Sequence, residues 1–468
     1  MQKSHLIQVF RTFSKKEIRD FKKWISSPMH NLREDVIKLH DYLTTNDNLA
    51  NDNNLDKTLI FNYLYPKEKF DDARTRQTMY FFMECLENFL VYQKFLEDET
   101  RQQNFLAAVY KKRGLHKAFK KTVNTFLEKK EKEQKQNDAF FLNDYEIQKD
   151  LFDFNNQHER SEHTNFDALQ AALDNFYLIN KLKLACVAFY HSRIFKVNYD
   201  IKLLEEIINH VNTIPNKEPL IDTYYNVLMT LKFPEQESYF EDLKEKIIHY
   251  TPFFTWSDGH EIYLFAINYC AAKLNQGKSE YRRNVFNLYK NGIELGFLLE
   301  NDIITTYTFK NVVVLGIHLK ELEWVEKFIH EYQQKLEEKQ RQGTVDFNLA
   351  MLYYAKKDYR KAQRLLAAFE VDDLLITLNA KFLLIKIYVE QSEFDLLDTH
   401  LATMRAYLNR KEILGYHKEV YKNVIHFTKK INRINPYTKI EKEKLILEIK
   451  ETKALADKEW FISQVENL

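Results

Sequence analysis

Apolar side chains recur every three or four residues along most of this 468-residue chain, the spacing that places them on one face of an α-helix. Residues 14–17 read Ser-Lys-Lys-Glu, a pattern that caps helix N-termini, and they predict a short basic helix over 15–26 that ends before Pro28. Further helices are predicted over 32–44, 57–64, 72–98, 101–112 and 115–136. The pattern therefore predicts an almost entirely helical chain.

Two interruptions divide this helical pattern. Residues 153–166 are polar, and residues 213–219 contain two prolines. After residue 220, helix and short turn alternate up to about residue 435. We predict an N-terminal helical cap region (1–100), a long-helix αα region (101–215), helical repeats (220–435) and C-terminal capping helices (436–468). The apolar residues expected to close the end of the array are Leu445, Ile449, Leu455, Trp460 and Phe461.

Composition favours the same class of fold. The chain has 8 Gly and 7 Pro, where an average chain of this length would have roughly 30 and 20. Strand-rich and doubly wound folds use these residues in turns and phosphate loops, so their scarcity predicts helices joined by short polar turns. The 28 Tyr and 35 Phe residues supply rings large enough to fill the spaces between paired helices.

The chain repeats itself at an offset of 35 residues between 345 and 405. One copy carries Leu349, Tyr353, Tyr359, Ala362 and Leu366, and the next carries Leu384, Tyr388, Phe394, Leu397 and Leu401. The passage LAMLYYAKKDYRKAQRLL (349–366) resembles a tetratricopeptide repeat. It departs from that family in lacking the usual Trp, where Asp346 stands, and the proline that closes each unit.

The resemblance implies a right-handed αα-superhelix in which the first helix of each pair lines a concave groove. It implies that Tyr353 and Tyr388 occupy equivalent buried wedges and that Ala362 lies against its partner helix. The groove positions it assigns are Ile317, Lys320, Met351, Tyr354, Lys386 and Glu390. Packing between repeats is the alternative for Phe347, Met351 and Tyr354. Apolar residues stand where carboxylate-gripping repeats carry paired Lys and Asn, which argues against a receptor for chaperone tails.

Sequence motifs for phosphate or metal binding are weak. Residues 272–279 (AKLNQGKS) match a loose phosphate-loop pattern, but they lie between two predicted helices, so we interpret them as a turn. Glu159 and Glu162 lie between His158 and His163, whose separation of five residues turns the second imidazole away from the first.

Asp52, Asn54 and Asp56 have the spacing of the first ligands of a calcium-binding loop, but Lys57 stands where such a loop needs Gly. Serine-hydrolase, zinc-protease and paired-cysteine motifs are absent from the sequence. We therefore predict neither an enzyme nor a bound cofactor or metal.

Charge and hydropathy restrict the partners. The net charge is +1, which provides no global field for nucleic acid or anionic lipid. The first 24 residues have a local excess of five positive charges, which we interpret as a solvated face. The sequence shows neither a secretory leader nor an apolar stretch of membrane-spanning length, and Cys186 and Cys270 lie in apolar helical segments. These features predict a cytoplasmic protein without a membrane partner.

These observations predict a noncatalytic scaffold or adaptor that binds a protein or peptide through its helical-repeat groove. The alternative is a transcriptional or RNA-associated regulator that contacts nucleic acid through its basic N-terminal helices and senses a ligand with its repeats.

Overall fold

The computed structural model describes residues 1–158, 164–367, 369, 371, 373–410 and 415–468. Of these residues 77% are helical, and the only β-type pairing among them is two isolated bridges, Gln136 with Phe254 and Glu300 with Ile303. The predicted all-α class is confirmed. The described helices include none that is both long and apolar enough to cross a lipid bilayer.

The chain forms two compact units. The first comprises residues 1–134 and 138–176, and the second comprises residues 135–137 and 177–468. The first unit contains α1 (His5–Phe10), α2 (Lys15–Ser26), α3 (Glu34–Thr44), α4 (Lys57–Leu64), α5 (Asp72–Leu96), α6 (Glu99–Lys112), α7 (His116–Lys132) and α8 (Asp138–His158). Helix α9 (Phe166–Phe195) contains the boundary between the units.

Helix α2 begins and ends where the sequence predicts. The Ser14 hydroxyl accepts from the Glu17 amide at 3.2 Å, and the Glu17 carboxylate accepts from the Ser14 amide at 2.7 Å, so the capping box is complete. Phe21 of α2 is fully buried, with its ring centroid 5.4 Å from that of Phe82 on α5 and 5.9 Å from that of Phe10 on α1. Edge contacts between these rings hold the first helices together.

The second unit is a series of helix pairs. It contains α10 (Leu204–Thr213), α11 (Pro219–Lys232), α12 (Glu237–Tyr250), α13 (Trp256–Asn275), α14 (Tyr281–Glu294), α15 (Thr306–His318), α16 (Leu322–Tyr332), α17 (Glu338–Ala355), α18 (Tyr359–Leu366), α19 (Leu374–Glu390), α20 (Phe394–Arg410), α21 (Gly415–Arg433), α22 (Lys439–Glu451) and α23 (Lys458–Glu466).

From α11 to α21 each helix packs on the next along the chain. We refer to α11, α13, α15, α17, α19 and α21 as the first helices. Among them α11 also packs on α13, α15 on α17, α17 on α19, and α19 on α21. This order of contacts is that of a helical-repeat array, in which each unit buries its apolar face against its neighbours.

The turns inside the four pairs from α13–α14 to α19–α20 share one backbone geometry. Gly277, Lys320, Lys357 and Ser392 all have a left-handed φ, between 57° and 88°. In the α17–α18 turn the Lys357 amide donates to the Tyr354 carbonyl and the Asp358 amide donates to the Tyr353 carbonyl, both at 2.9 Å. Bonds of this kind satisfy the last carbonyls of the first helix and reverse the chain within a few residues.

Small residues lie where paired helices approach most closely. Ala350 and Ala362 are both fully buried in the core between α17 and α18, as predicted for Ala362. A Cβ atom added to Gly316 of α15 would lie 2.4 Å from a methyl carbon of Val325 on α16. Each pair therefore needs a small side chain at its crossing.

Tyr353 and Tyr388 take equivalent positions, but the wedges predicted to be buried are only partly so, because both residues are half-buried. Their rings lie at the edge of the core, where the Lys361 ammonium is 5.1 Å from the Tyr353 centroid and His400 packs 5.7 Å from that of Tyr388. Tyrosine at this depth buries its ring and keeps its hydroxyl near solvent.

The C-terminal helices close the array. The five apolar residues predicted to do so all belong to one core, together with residues of α19, α20 and α21. These residues therefore pack against the last helices of the array.

Candidate functional site

Three of the six predicted groove residues lie apart from the rest. Ile317 of α15 and Met351 of α17 are half-buried, and Met351 packs against the core between α17 and α18. Lys320 is exposed in the turn after α15, with φ of +62°. Phe347, one turn before Met351, is buried in the same core, so for this residue the packing alternative holds.

Tyr354, Lys386 and Glu390 meet at the C-terminal ends of α17 and α19. The Glu390 carboxylate accepts from the Tyr354 hydroxyl, from the Tyr359 hydroxyl at 2.6 Å, and from the Trp460 indole nitrogen at 2.8 Å. Three donors from three different helices fix the position of this partly buried carboxylate. Helix α23, which carries Trp460, is thereby attached to the first helices.

Lys386 makes a second link to the C-terminal segment. Its ammonium pairs with the Asp457 carboxylate and lies 4.9 Å from the Phe382 ring centroid and 5.5 Å from that of Trp460. Only 13% of the Lys386 side chain is exposed. A cation between two aromatic faces and a carboxylate is stabilised by both kinds of contact.

The phenols around Glu390 are perturbed by their surroundings. Burial, followed by the bond to Glu390, raises the pKa of Tyr354, and the same causes raise the pKa of Tyr359 to about 12. Both hydroxyls therefore remain protonated donors at neutral pH. We name Tyr354, Tyr359, Lys386, Glu390 and Trp460 the anchor cluster.

Sequence reasoning missed two members of this arrangement. Tyr359 was identified only as a repeat position, and Trp460 only as part of an apolar cap. The single available signal was the polarity of the indole N–H, because a buried Trp needs an acceptor. Asp457 gave no signal: it caps α23 through the Trp460 amide at 3.3 Å and pairs with a lysine 71 positions earlier.

The opposite ends of the same first helices form an open slot. The slot has a volume of about 290 Å³ and is lined by residues of α15, α17, α19 and α21, among them Tyr307, Lys310, Asn348, Asn379 and Tyr421. Tyr307 is 72% exposed at its edge. Four consecutive first helices thus contribute to one concave surface.

Asn348 is the most unusual side chain of the slot. It is only 1% exposed, and its amide nitrogen donates to the Thr344 carbonyl at 2.7 Å. Within the part of the chain that the structure describes, its amide oxygen has no hydrogen-bond partner. On the next first helix the Asn379 oxygen accepts from the Tyr421 hydroxyl at 3.0 Å. Adjacent side-chain amides can bind the N–H and C=O groups of an extended peptide.

A buried polar network links α9, α11 and α13. The Lys183 ammonium lies 2.5 Å from the Asp258 carboxylate, which also accepts from Thr255 at 2.6 Å, and the Tyr224 hydroxyl donates to Glu261 at 3.0 Å. Burial, then the two carboxylates, raises the pKa of Tyr224. Because Tyr224 is fully buried, we interpret this network as structural.

The phosphate-loop-like residues 272–279 lie where the sequence analysis placed them, between α13 and α14. Gly277 takes a left-handed φ of +88°, and the Lys278 ammonium pairs with Glu237 at 2.5 Å. A helix precedes the segment instead of a strand. Its backbone therefore forms the same turn as the other pairs.

The calcium-like segment also has a structural role. Asp56 accepts from the amides of Thr58 and Leu59 at 2.8 and 3.3 Å and caps α4, and Asp52 pairs with Arg11 at 2.7 Å. No group of three or more potential metal ligands occurs within the described ranges. Residues 159–163, which include Glu159, Glu162 and His163, lie outside those ranges.

The three cysteines are buried and reduced. Burial raises the pKa of the Cys186 thiol and raises that of Cys270 to about 12, so neither is activated as a nucleophile.

Comparisons of this chain with protein-family models, with curated proteins and with solved structures gave no significant match.

Proposed function

We propose that this protein is a noncatalytic scaffold that binds an extended segment of a protein partner in the slot of the first helices. In this proposal the pairs wind as a right-handed, tetratricopeptide-like superhelix in the cytoplasm. The main support is the slot itself, where four consecutive first helices surround a buried, unpaired amide oxygen of Asn348. In this proposal the Asn348 side chain turns toward the slot when a peptide binds, and its oxygen then accepts from a backbone N–H of that peptide.

The anchor cluster supports the same function by analogy. There the first helices already bind a protein segment, helix α23, through an aromatic anchor and a charge pair. Aromatic anchors with adjacent hydrogen bonds are the usual centres of protein interfaces. The face of the first helices is therefore suited chemically to peptide binding at both ends.

The proposal can be tested by affinity capture with slot variants. Tyr307→Asp combined with Leu375→Asp places two charges at the slot, while Tyr437→Asp combined with Leu396→Asp makes the same changes at more exposed positions elsewhere. We expect one stoichiometric protein to be captured by the wild type and the control pair but lost from the slot pair. It should also bind the purified chain at a 1:1 ratio.

Equal capture by both pairs would refute binding at the slot. The nucleic-acid alternative rests on Lys15, Lys16 and Arg19, which are exposed on α2. It would be favoured if nucleic acid were retained at moderate salt and lost after charge reversal of these three residues, because phosphate contacts depend on such cations.

A further inference from the structure

A second concavity, separate from the slot, lies among α20, α21 and α22. Its volume is about 800 Å³, within the roughly 300–1,000 Å³ typical of small-molecule sites. Helix α20 packs on α21, and α22 packs on α23, so the cavity opens in the wedge between α21 and α22. We call it the basic pocket.

Helix α21 contributes a row of cations to the basic pocket. Lys422, Lys429 and Arg433 line it, and their separations of 7 and 4 residues place them on one face of the helix. The row extends about 16 Å along the helix axis at 1.5 Å per residue. Arg405 from α20 and Lys444 from α22 add a cation on each side.

The negative charges in the pocket are too few to neutralise these cations. Glu448 is already paired with Lys430 at 2.5 Å and lies 3.7 Å from His426. Glu441 is the other acidic residue of the lining. None of the five cations named above forms an ion pair with another residue in the described ranges.

Like charges on one face of a helix repel one another, most strongly for Lys429 and Arg433, which are about 6 Å apart along the axis and so closer than the Debye length of roughly 8–10 Å. The whole chain has a net charge of only +1, so this concentration is local. A bound anion would relieve the repulsion and make charge-assisted hydrogen bonds to several donors at once.

The floor of the pocket is apolar. Leu408, Ile425 and Leu445 line it, and their side chains are 1%, 3% and 5% exposed. Protein already shields these three side chains from water, so most of the apolar surface that the pocket exposes belongs to the rest of its lining, and a purely inorganic anion would leave that surface wet. A ligand with an apolar or aromatic body would cover it, which is the favourable term in most small-molecule sites.

We propose that the basic pocket binds a small organic phosphate, with its aromatic or apolar body on the floor and its phosphate groups on the cations of α21. A row of cations about 16 Å long can serve two separate phosphate groups. Nucleic acid fits less well, because it needs a track of cations along a surface and gains little from an enclosed apolar floor.

The test uses adenosine 3′,5′-bisphosphate as the probe, since it carries an aromatic body and two phosphate groups. Calorimetric titration of the full-length protein should show saturable 1:1 binding that weakens as salt is raised. Adenosine and inorganic phosphate, each offering half of the chemistry, should bind at least tenfold more weakly. Absence of binding by the bisphosphate at millimolar concentration would overturn the proposal.

Charge-reversal variants locate the site. Lys422→Glu with Arg433→Glu should weaken binding at least tenfold, and the corresponding alanine pair should have a smaller effect in the same direction. Lys439→Glu is the matched control, because this lysine is 89% exposed at the start of α22 and does not line the pocket. Equal loss in the control and the double variant would refute the site.

Two outcomes would reassign the pocket to another ligand. If a single-stranded RNA 20-mer or a poly-glutamate peptide bound more tightly than the bisphosphate, and the double variant abolished that binding, the pocket would be a macromolecular interface. These results are independent of the slot, because the two concavities share no lining residue.

Discussion

The two ends of the first helices present the same face of the array but differ in what covers it. Helix α23 covers the C-terminal ends of α17 and α19. Its Trp460 donates to Glu390 within the anchor cluster, and Lys386 of that cluster pairs with Asp457. At the N-terminal ends the slot is open, and Asn348 keeps a buried oxygen without a partner among the described residues. The difference teaches that a repeat pattern identifies the face that the first helices line, but not which part of that face the rest of the chain covers.

Removing the aromatic anchor should have the largest effect on the covered end. Trp460→Ala deletes a side chain that is 9% exposed and leaves Glu390 short of a donor, so we expect a loss of about 3–5 kcal/mol in the free energy of unfolding. Tyr307→Ala, at the open end, should cost less than about 0.5 kcal/mol because its ring is 72% exposed. Thermal melts followed by circular dichroism measure both.

Hydrogen exchange sharpens this comparison. In Trp460→Ala the amides of α23 should exchange faster than those of α17. In Trp460→Phe the exchange rates of the α23 amides should lie between those of Trp460→Ala and those of the wild type, because phenylalanine keeps a ring but loses the N–H donor. Similar melting of the alanine variants at positions 460 and 307 would contradict the distinction between a covered and an open end.

The register of the repeat can be tested at Ala362. Ala362→Leu adds a large side chain to a fully buried crossing, and we expect it to cost about 1–3 kcal/mol through overpacking. Lys357→Leu adds an apolar side chain to the adjacent exposed turn and should change the stability by less than about 0.5 kcal/mol. Denaturant titration compares the two. If both variants unfolded at the same denaturant concentration, the alignment of the repeats that places the slot and the anchor cluster on one face would be wrong.

Alkaline pH should weaken the anchor cluster through Tyr359. The pKa of this phenol is raised to about 12, above the usual value of about 10 in the unfolded chain. The stabilisation by its bond to Glu390 is therefore complete below about pH 10 and is lost as the pH rises through about 12.

Tyr359→Phe should cost about 1 kcal/mol at pH 8, discounted for the exposure of the group. The difference from the wild type should shrink between pH 10 and 12, as measured by urea titration at each pH. If the difference in unfolding free energy between Tyr359→Phe and the wild type stayed constant from pH 10 to 12, the hydrogen bond to Glu390 would not be coupled to the ionisation of Tyr359. Tyr437→Phe, at a residue that is 94% exposed, is the control.

The smallest effect concerns the turn geometry. Lys357 has a left-handed φ of +59°, which side chains other than glycine adopt at a cost of about 1 kcal/mol. Lys357→Gly should therefore stabilise the chain by about 0.5–1 kcal/mol, and Gly277→Ala in the equivalent turn should destabilise it by a similar amount. A melting shift of the same sign in both variants would show that the two turns are not equivalent.

Elements with strong local signals could be predicted closely. The basic helix predicted over 15–26 matches α2, and residues 57–64 match α4, because capping residues and helical periodicity act within a few positions of each other. Helix α1 was missed, since six residues give too short a periodic signal. The burial of Tyr353 was overestimated, because its depth depends on the neighbouring Lys361 as well as on its place in the repeat.

The candidate sites were predictable only in part. The repeat offset grouped Tyr354, Lys386 and Glu390 together, and they do meet in the structure, whereas Tyr359 and Trp460 became visible only in the folded chain. The basic pocket gave no signal either, because its lysines and arginines come from three helices whose separation is not encoded in any one of them.

The sequence by itself determined the helical class, the offset of 35 residues between α17–α18 and α19–α20 and the buried alanine at position 362, because these follow from periodicity and local sterics. Only the tertiary structure decided that α23 covers one end of the first helices while the other end stays open. That outcome depends on contacts such as Lys386 with Asp457, 71 positions apart. The free energy of such a contact depends on the geometry of the whole array, which no local pattern specifies.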